Sequence, residues 1–129
     1  MLHITMTLPP HPAALGAVLE GMTGLNYQWM RAARRDVPNL YRSGVRYRKE
    51  PDGQDQWLTA SQLLSKGYGD CEDVACYQAA YYRAHGEPAI VKVVRTRRGK
   101  FHAIVQRGNG VLEDPSRILL ALERREHHG

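Results

Sequence analysis

The stretch from residue 71 to residue 96 constrains the fold most, because it joins a helix with well-marked ends to a strand. Residues 71–85 are helix-forming throughout, and Gly86 and Pro88 follow them, which is typical of a helix C-terminus. Residues 89–96 are rich in β-branched side chains, which predicts a strand. The chain must therefore accommodate both a helix and a sheet.

Two further strands are predicted after this one. Residues 101–106 alternate between two faces, and residues 111–114 follow a Gly-Asn-Gly turn and end at Pro115. Three strands joined by short turns predict an antiparallel meander. A connection of three or five residues between the last two strands would place His102 and Asp114 on one face, opposite each other.

The first half of the chain is predicted to be mainly helical. Residues 12–22 and residues 25–35 are predicted as two helices separated near Gly24. The second helix is predicted to be amphipathic. Its apolar face is expected to carry Leu25, Trp29 and either Ala32 or Ala33.

The segment between these helices and residue 71 contains one more predicted helix. Residues 40–50 are aromatic and basic, and their pattern fits either an extended or a partly helical conformation. Residues 59–66 predict a short helix with Thr59 as its N-cap and Gly67 as its end. Together these elements predict one α+β domain, with helices first and a small antiparallel sheet after them.

The composition excludes several classes of protein. An apolar share of 43% with 24% charged residues is typical of a globular chain, and a length of 129 residues favours a single domain. Two cysteines are too few for a disulfide scaffold. No apolar run approaches the ~18 residues of a membrane span, and the start lacks the pattern of a signal peptide. We therefore expect a cytoplasmic or virion-associated protein.

A candidate nucleophile lies in the sequence Gly-Asp-Cys-Glu-Asp, where Cys71 occupies the first turn of the predicted helix. Unpaired N–H groups and the helix dipole stabilise an anion there, and the thiolate is the nucleophilic form of cysteine. His102 and Asp114 lie downstream on the predicted sheet. The order is that of a nucleophile, a general base and an acid that orients the base.

These motifs, Tyr-Gly-Asp-Cys-Glu-Asp, Phe-His-Ala-Ile and Glu-Asp-Pro, resemble the transglutaminase-like superfamily of cysteine peptidases, most of all its small bacterial and phage branch. The resemblance implies a papain-like fold, with a nucleophile helix packed on the sheet. It also implies a single domain over residues 1–129, with a helical N-terminal extension at 1–39 and the family core at 40–118. Within that core it implies Cys71 as nucleophile, His102 as general base and Asp114 as orienting acid.

The same resemblance implies an oxyanion hole, in which the backbone N–H of Cys71 is one expected donor. Candidates for the second donor are Gln54, Gln56 and Trp57. The other cysteine, Cys76, lies about 140° round the helix from Cys71 and is predicted to be a core residue.

Three acids flank Cys71, and nearby negative charges raise the pKa of a thiol. Asp70 and Asp73 have the spacing of an N-cap and an N3 residue, so capping together with solvated charge is the favoured interpretation. The resemblance also implies that Asp70 and Glu72 could hold Ca²⁺, whose preferred ligands are oxygen atoms. We expect no other cofactor.

Function is predicted as thiol-dependent acyl transfer at an amide of a protein or peptide substrate. Hydrolysis is favoured, and transfer to an amine stays open. The alternative is a phage or prophage structural or assembly protein that uses the fold mainly for binding. The net charge is +5, and six cations lie between residues 88 and 107. Because no nucleic-acid module accompanies them, we expect a solvated face rather than a nucleic-acid or membrane interface.

Overall fold

The structure is a computed structural model that describes residues 4–5, 12–33, 36–49 and 56–128. The predicted α+β class is confirmed. The helices are α1 (Pro12–Ala33), α2 (Ala60–Lys66), α3 (Cys71–Ala84) and α4 (Pro115–His128), with a short 3₁₀ helix at Leu40–Arg42. The strands are β1 (Ile4–Thr5), β2 (Arg46–Tyr47), β3 (Gln56–Trp57), β4 (Tyr68–Gly69), β5 (Ala89–Arg95), β6 (Phe101–Arg107) and β7 (Leu112–Glu113).

The prediction of two helices before residue 36 is wrong, because α1 runs without a break from Pro12 to Ala33. A glycine inside a helix costs only about 1 kcal/mol relative to alanine, so Gly24 does not end a helix that packs along its whole length. The predicted apolar face is wrong at its two large residues: Ala33 packs against a buried cluster, but Leu25 is 48% and Trp29 is 38% exposed. The buried face is turned away from them and carries Leu15, Leu19, Met22, Thr23, Asn26 and Met30.

The helices predicted at residues 59–66 and 71–85 are confirmed, together with their ends. Thr59 and Gln62 form a capping box at the start of α2, and Gly67 ends it with a left-handed backbone (φ 84°). Asp70 and Asp73 form a second capping box at the start of α3. Local sequence therefore determines where the helix that carries Cys71 begins.

The three-stranded meander is confirmed, with strand order β5, β6, β7 and antiparallel pairing throughout. The predicted register is wrong by two residues. Val105 lies opposite Glu113 and Gln106 lies opposite Leu112, so the residue after Glu113 lies nearest Ile104 rather than His102. A two-residue offset keeps His102 and Asp114 on one face, as diagonal neighbours.

Helix α3 lies between two hydrophobic clusters and supplies side chains to both. One cluster joins α1 and α3 to one face of the sheet and contains Leu19, Met22, Trp57, Ala75, Cys76, Ala79, Val91, Ala103 and Val105. The other lies against the opposite side of α3 and contains Met30, Leu40, Leu63, Val74, Tyr77, Ala80 and Leu119.

Helix α4 has no counterpart among the elements predicted from the sequence, in which Pro115 only ends a strand. Proline is tolerated at the first position of a helix, where its missing N–H needs no partner. Pro115 is that first residue, and Leu119 one turn later is buried in the second cluster. Within the described residues no helix is both long and apolar enough to cross a membrane.

Candidate active site

Cys71 is the first residue of α3 and is partly buried against the cluster that joins α3 to the sheet. The backbone N–H of Ala103 on β6 lies close enough to its sulfur to lower the thiol pKa. Because Ala103 directly follows His102, the start of the nucleophile helix lies against the stretch of β6 that carries the candidate base. The sulfur thus lies where α3 and β6 meet.

His102 and Asp114 are joined by a hydrogen bond of 2.8 Å between Nε2 and Oδ2. The other carboxylate oxygen of Asp114, Oδ1, accepts a hydrogen bond from the backbone N–H of Arg117 at 3.4 Å, so Asp114 also caps α4. Since Nε2 is engaged, Nδ1 is the ring nitrogen left to accept a proton. Among the described residues no hydrogen bond joins Cys71 to His102, which is common before a substrate is bound.

The two partners shift each other's pKa in opposite directions. The hydrogen bond to Asp114 raises the pKa of His102 above 6.5, against the opposing effect of burial, and the charges of Asp114 and Glu72 add to the rise. Burial alone would raise the pKa of Asp114, but the hydrogen bond and charge of His102 lower it below 3.8. The pair is therefore arranged to hold a protonated imidazole.

The pKa of Cys71 is raised. Burial is the largest cause, and the charge of Glu72 is the next; the N–H of Ala103 acts in the opposite direction, and the charge of Asp70 adds a further increase. The helix N-terminus does not outweigh these effects. Cys71 is therefore a neutral thiol in the resting protein rather than a preformed thiolate.

The acids around Cys71 have distinct roles. Asp73 is 1% exposed, accepts the N–H of Leu58 at 2.8 Å and that of Asp70 at 3.2 Å, and so ties the segment before α2 to the start of α3. The predicted capping is thus confirmed, but solvated charge is wrong for Asp70 and Asp73, because both are buried. Burial removes their charges from water, so hydrogen bonds rather than solvent stabilise them.

Glu72 is the acid that fits the predicted Ca²⁺ site, since its Oε2 is buried and has no hydrogen-bond partner among the described residues. Asp70 fits less well, because its Oδ1 already accepts the N–H of Asp73. The described residues contain no group of three or more ligating side chains. The donor set is incomplete for an ion that takes six to eight oxygens, so Ca²⁺ binding by Asp70 and Glu72 stays a prediction.

The candidate oxyanion donors are placed unequally. Trp57 is 4% exposed and belongs to the same cluster as Cys71. Gln56 is described only by its backbone in β3, where it precedes Trp57, and Gln54 lies outside the described residues. The choice of second donor stays a prediction.

Tyr47 was not among the site residues predicted from the sequence. Parallel pairing of β2 with β4 sets Tyr47 beside Gly69, two residues before Cys71. Burial raises the pKa of Tyr47 to about 12, and the nearby charges of Asp70, Glu72 and Asp114 add to the rise. Its hydroxyl is thus a neutral donor beside the nucleophile. Because this pairing is long-range and parallel, no local sequence pattern predicts it.

Other residues singled out from the sequence lie away from this chemistry. Cys76 is 2% exposed and its thiol donates to the carbonyl of Leu19 at 3.5 Å, which confirms it as a core residue. Of the cations near the hairpin, Arg107 forms a bidentate ion pair with Glu87 and stacks on the ring of Tyr82. Lys92, Arg95, Arg97, Arg98 and Lys100 are exposed.

Thiol-dependent acyl transfer needs a cysteine at an anion-stabilising position together with an oriented His-Asp pair, and this structure contains both parts. The chain belongs to the transglutaminase-like superfamily, whose family model matches residues 22–123. Cysteine-based acyl transfer or peptidase activity is general in this family. No curated protein and no solved structure shows significant similarity to the chain.

Proposed function

We propose that this protein is a cysteine peptidase that hydrolyses an amide bond of a protein or peptide, with Cys71 as nucleophile. The observation that carries the proposal is the His102–Asp114 bond of 2.8 Å, with the thiol of Cys71 close to Ala103, the next residue of the same strand. Nucleophilic catalysis needs a base that is oriented by a third group and keeps its other nitrogen open to the nucleophile, and the His102–Asp114 bond supports that role for His102.

The reaction follows from these positions. His102 Nδ1 takes the thiol proton while the sulfur of Cys71 attacks the carbonyl carbon, and a tetrahedral oxyanion forms. The C–N bond then breaks, and the same proton passes from His102 to the leaving amine. Water attacks the resulting thioester, gives a proton to His102, and releases the acid as the proton returns to the sulfur. An amine in place of water would give transamidation.

The raised pKa of Cys71 decides how the first step occurs. Because the resting thiol is neutral, proton transfer to His102 accompanies attack rather than preceding it. Protonated His102 cannot accept that proton, and its pKa lies above 6.5. The rate should therefore rise with pH through the pKa of His102, and the acidic limb of the profile should lie above pH 6.5.

Alkylation by iodoacetamide tests the activation of the thiol without a known substrate. The Cys76→Ser variant leaves Cys71 as the only thiol, and the Cys71→Ser variant reports Cys76 alone. We expect Cys71 to be alkylated much faster than Cys76, and His102→Ala to slow that reaction. Equally slow labelling of both cysteines would contradict the proposal. So would a Cys71 labelling rate that is unchanged in His102→Ala.

The products separate hydrolysis from transamidation. A peptide library incubated with the protein should yield free carboxyl termini, and added primary amine should not be incorporated. Amine incorporation in preference to hydrolysis would assign transamidation instead, with the same nucleophile.

A further inference from the structure

The carboxylate of Glu113 is bound by side chains from three elements of the fold. Tyr41 of the 3₁₀ helix donates its hydroxyl to Oε2, and Tyr82 of α3 donates its hydroxyl at 2.8 and 2.9 Å. Arg107 of β6 adds an ion pair at 3.6 Å. The Glu113 side chain is only 11% exposed, so these contacts stabilise a charge that is largely removed from water.

Glu113 directly precedes Asp114. The pairing of β7 with β6 does not by itself fix the orientation of the Asp114 side chain. Strand β7 forms only two residue pairs with β6, and the second of them ends at Glu113. Asp114 lies beyond the ladder, at the start of α4. Its orientation must therefore be determined largely by what holds the residues on either side.

Successive side chains of a strand point to opposite faces. Glu113 points towards α3, where Tyr82 binds it, so the following side chain points to the face that carries His102. Holding the Glu113 carboxylate at two hydroxyls thus limits rotation of the strand end. The same restraint limits how far the carboxylate of Asp114 can move from the imidazole.

We propose that Glu113 is a positioning residue, which through Tyr41 and Tyr82 orients Asp114 towards His102. Its catalytic consequence rests on the proposed peptidase function. The orientation itself does not, because it concerns the His102–Asp114 bond and not the thiol.

The imidazole pKa of His102, measured by NMR, reports that bond without any substrate. The chain has six histidines, so the His102 signal is assigned by its loss in His102→Gln. We expect the pKa to lie above 6.5 in the native protein and to fall towards 6.5 in Glu113→Gln, which keeps the side-chain shape but weakens the acceptor. The matched control is Glu87→Gln, which removes the other carboxylate bound by Arg107 and should leave the His102 pKa unchanged.

A double-mutant cycle distinguishes positioning from a direct charge effect. In an Asp114→Asn background, adding Glu113→Gln should not change the His102 pKa further. If the pKa is unchanged in folded Glu113→Gln, or if the shift persists in the Asp114→Asn background, the proposal is overturned. Tyr41→Phe removes one donor and replaces Glu113→Gln if that variant does not fold.

The rate of Cys71 acylation by p-nitrophenyl acetate then tests the catalytic consequence. Small displacements of a catalytic group can cost up to about 100-fold in rate, so Glu113→Gln should be about tenfold slower than native protein. A native protein that does not acylate Cys71, but whose His102 pKa responds to Glu113→Gln, would refute the peptidase function and keep the positioning role. An unchanged acylation rate with a lowered His102 pKa would refute the catalytic consequence.

Discussion

At Cys71 two physical effects act in opposite directions. A helix N-terminus stabilises a negative charge by typically 0.3–1 kcal/mol and by up to about 2 kcal/mol when partly buried. Desolvation can shift a pKa by several units, and each unit is about 1.4 kcal/mol. Burial and the charge of Glu72 therefore determine the direction, and the thiol pKa is raised. A base within reach is then a requirement for reactivity.

The ionisation of His102 and Asp114 should appear in the stability of the protein. The pKa of His102 is raised in the folded state, so its contribution is complete below pH 6.5 and is lost as pH rises through the folded-state value. The pKa of Asp114 is lowered, so its contribution is present above pH 3.8 and is lost as pH falls through the folded-state value. Both contributions are complete only between these two limits.

We therefore expect Asp114→Asn to lower the free energy of unfolding more at pH 5.5 than at pH 8.5, measured by urea denaturation. Glu123→Gln, at an ion pair on the surface, is the control for general effects of charge. An equal loss at both pH values would show that the Asp114 charge does not interact with a protonated His102.

The sequence could indicate His102 and Asp114 as partners, but not their exact positions relative to each other across the strands. The parity of the strand pairing correctly puts His102 and Asp114 on one face, while the turn places them two residues off the predicted register. The hydrogen bond forms nevertheless, because diagonal neighbours across a sheet are within reach of long side chains.

Among the elements, α1 differs most from its prediction. Its apolar residues are spread around the helix, so periodicity alone allows more than one buried face. Contact with α3 and β5 selects the face that carries Leu19 and Asn26, where Asn26 accepts the N–H of Ala60 at 2.8 Å. The Oδ1 of this buried side chain is bound by the first residue of α2, a long-range contact that no local pattern could have shown.

Two leucines of α1 test the orientation of the helix. Leu19 is fully buried and Leu25 is 48% exposed. We expect Leu19→Ala to lower the free energy of unfolding by about 3 kcal/mol and Leu25→Ala by less than about 0.5 kcal/mol. Chemical denaturation of the two variants gives the comparison, and similar losses at both positions would mean that the helix is turned differently.

The ends of α2 and α3 were predictable because their capping residues are local. Thr59, Gln62, Asp70 and Asp73 act within a few residues of where they lie in the chain. Helix α4 was not predicted although Asp114 and Pro115 form a typical helix start. The same two residues are also typical of the end of a strand, and the sequence pattern predicted only that strand end.

In the whole molecule, the site is where the two halves of the chain meet. Helix α3 presents Cys71 at its first residue, β6 presents His102, and the junction of β7 with α4 presents Asp114. Tyr47 and Tyr41 come from before residue 50 and approach the same region through β4 and Glu113. The fold class and the helix and strand that carry Cys71 and His102 could be predicted. These long-range contacts could not, because they depend on tertiary packing.

The central claim is that Cys71 forms an acyl-enzyme with the help of His102. Intact-protein mass spectrometry after reaction with p-nitrophenyl acetate, followed by peptide mapping, tests it most directly. We predict one acetyl group on Cys71, retained in Cys76→Ser, lost in Cys71→Ala and formed far more slowly in His102→Ala. An adduct on Cys76, or one on Cys71 that forms equally fast without the imidazole, would contradict the account.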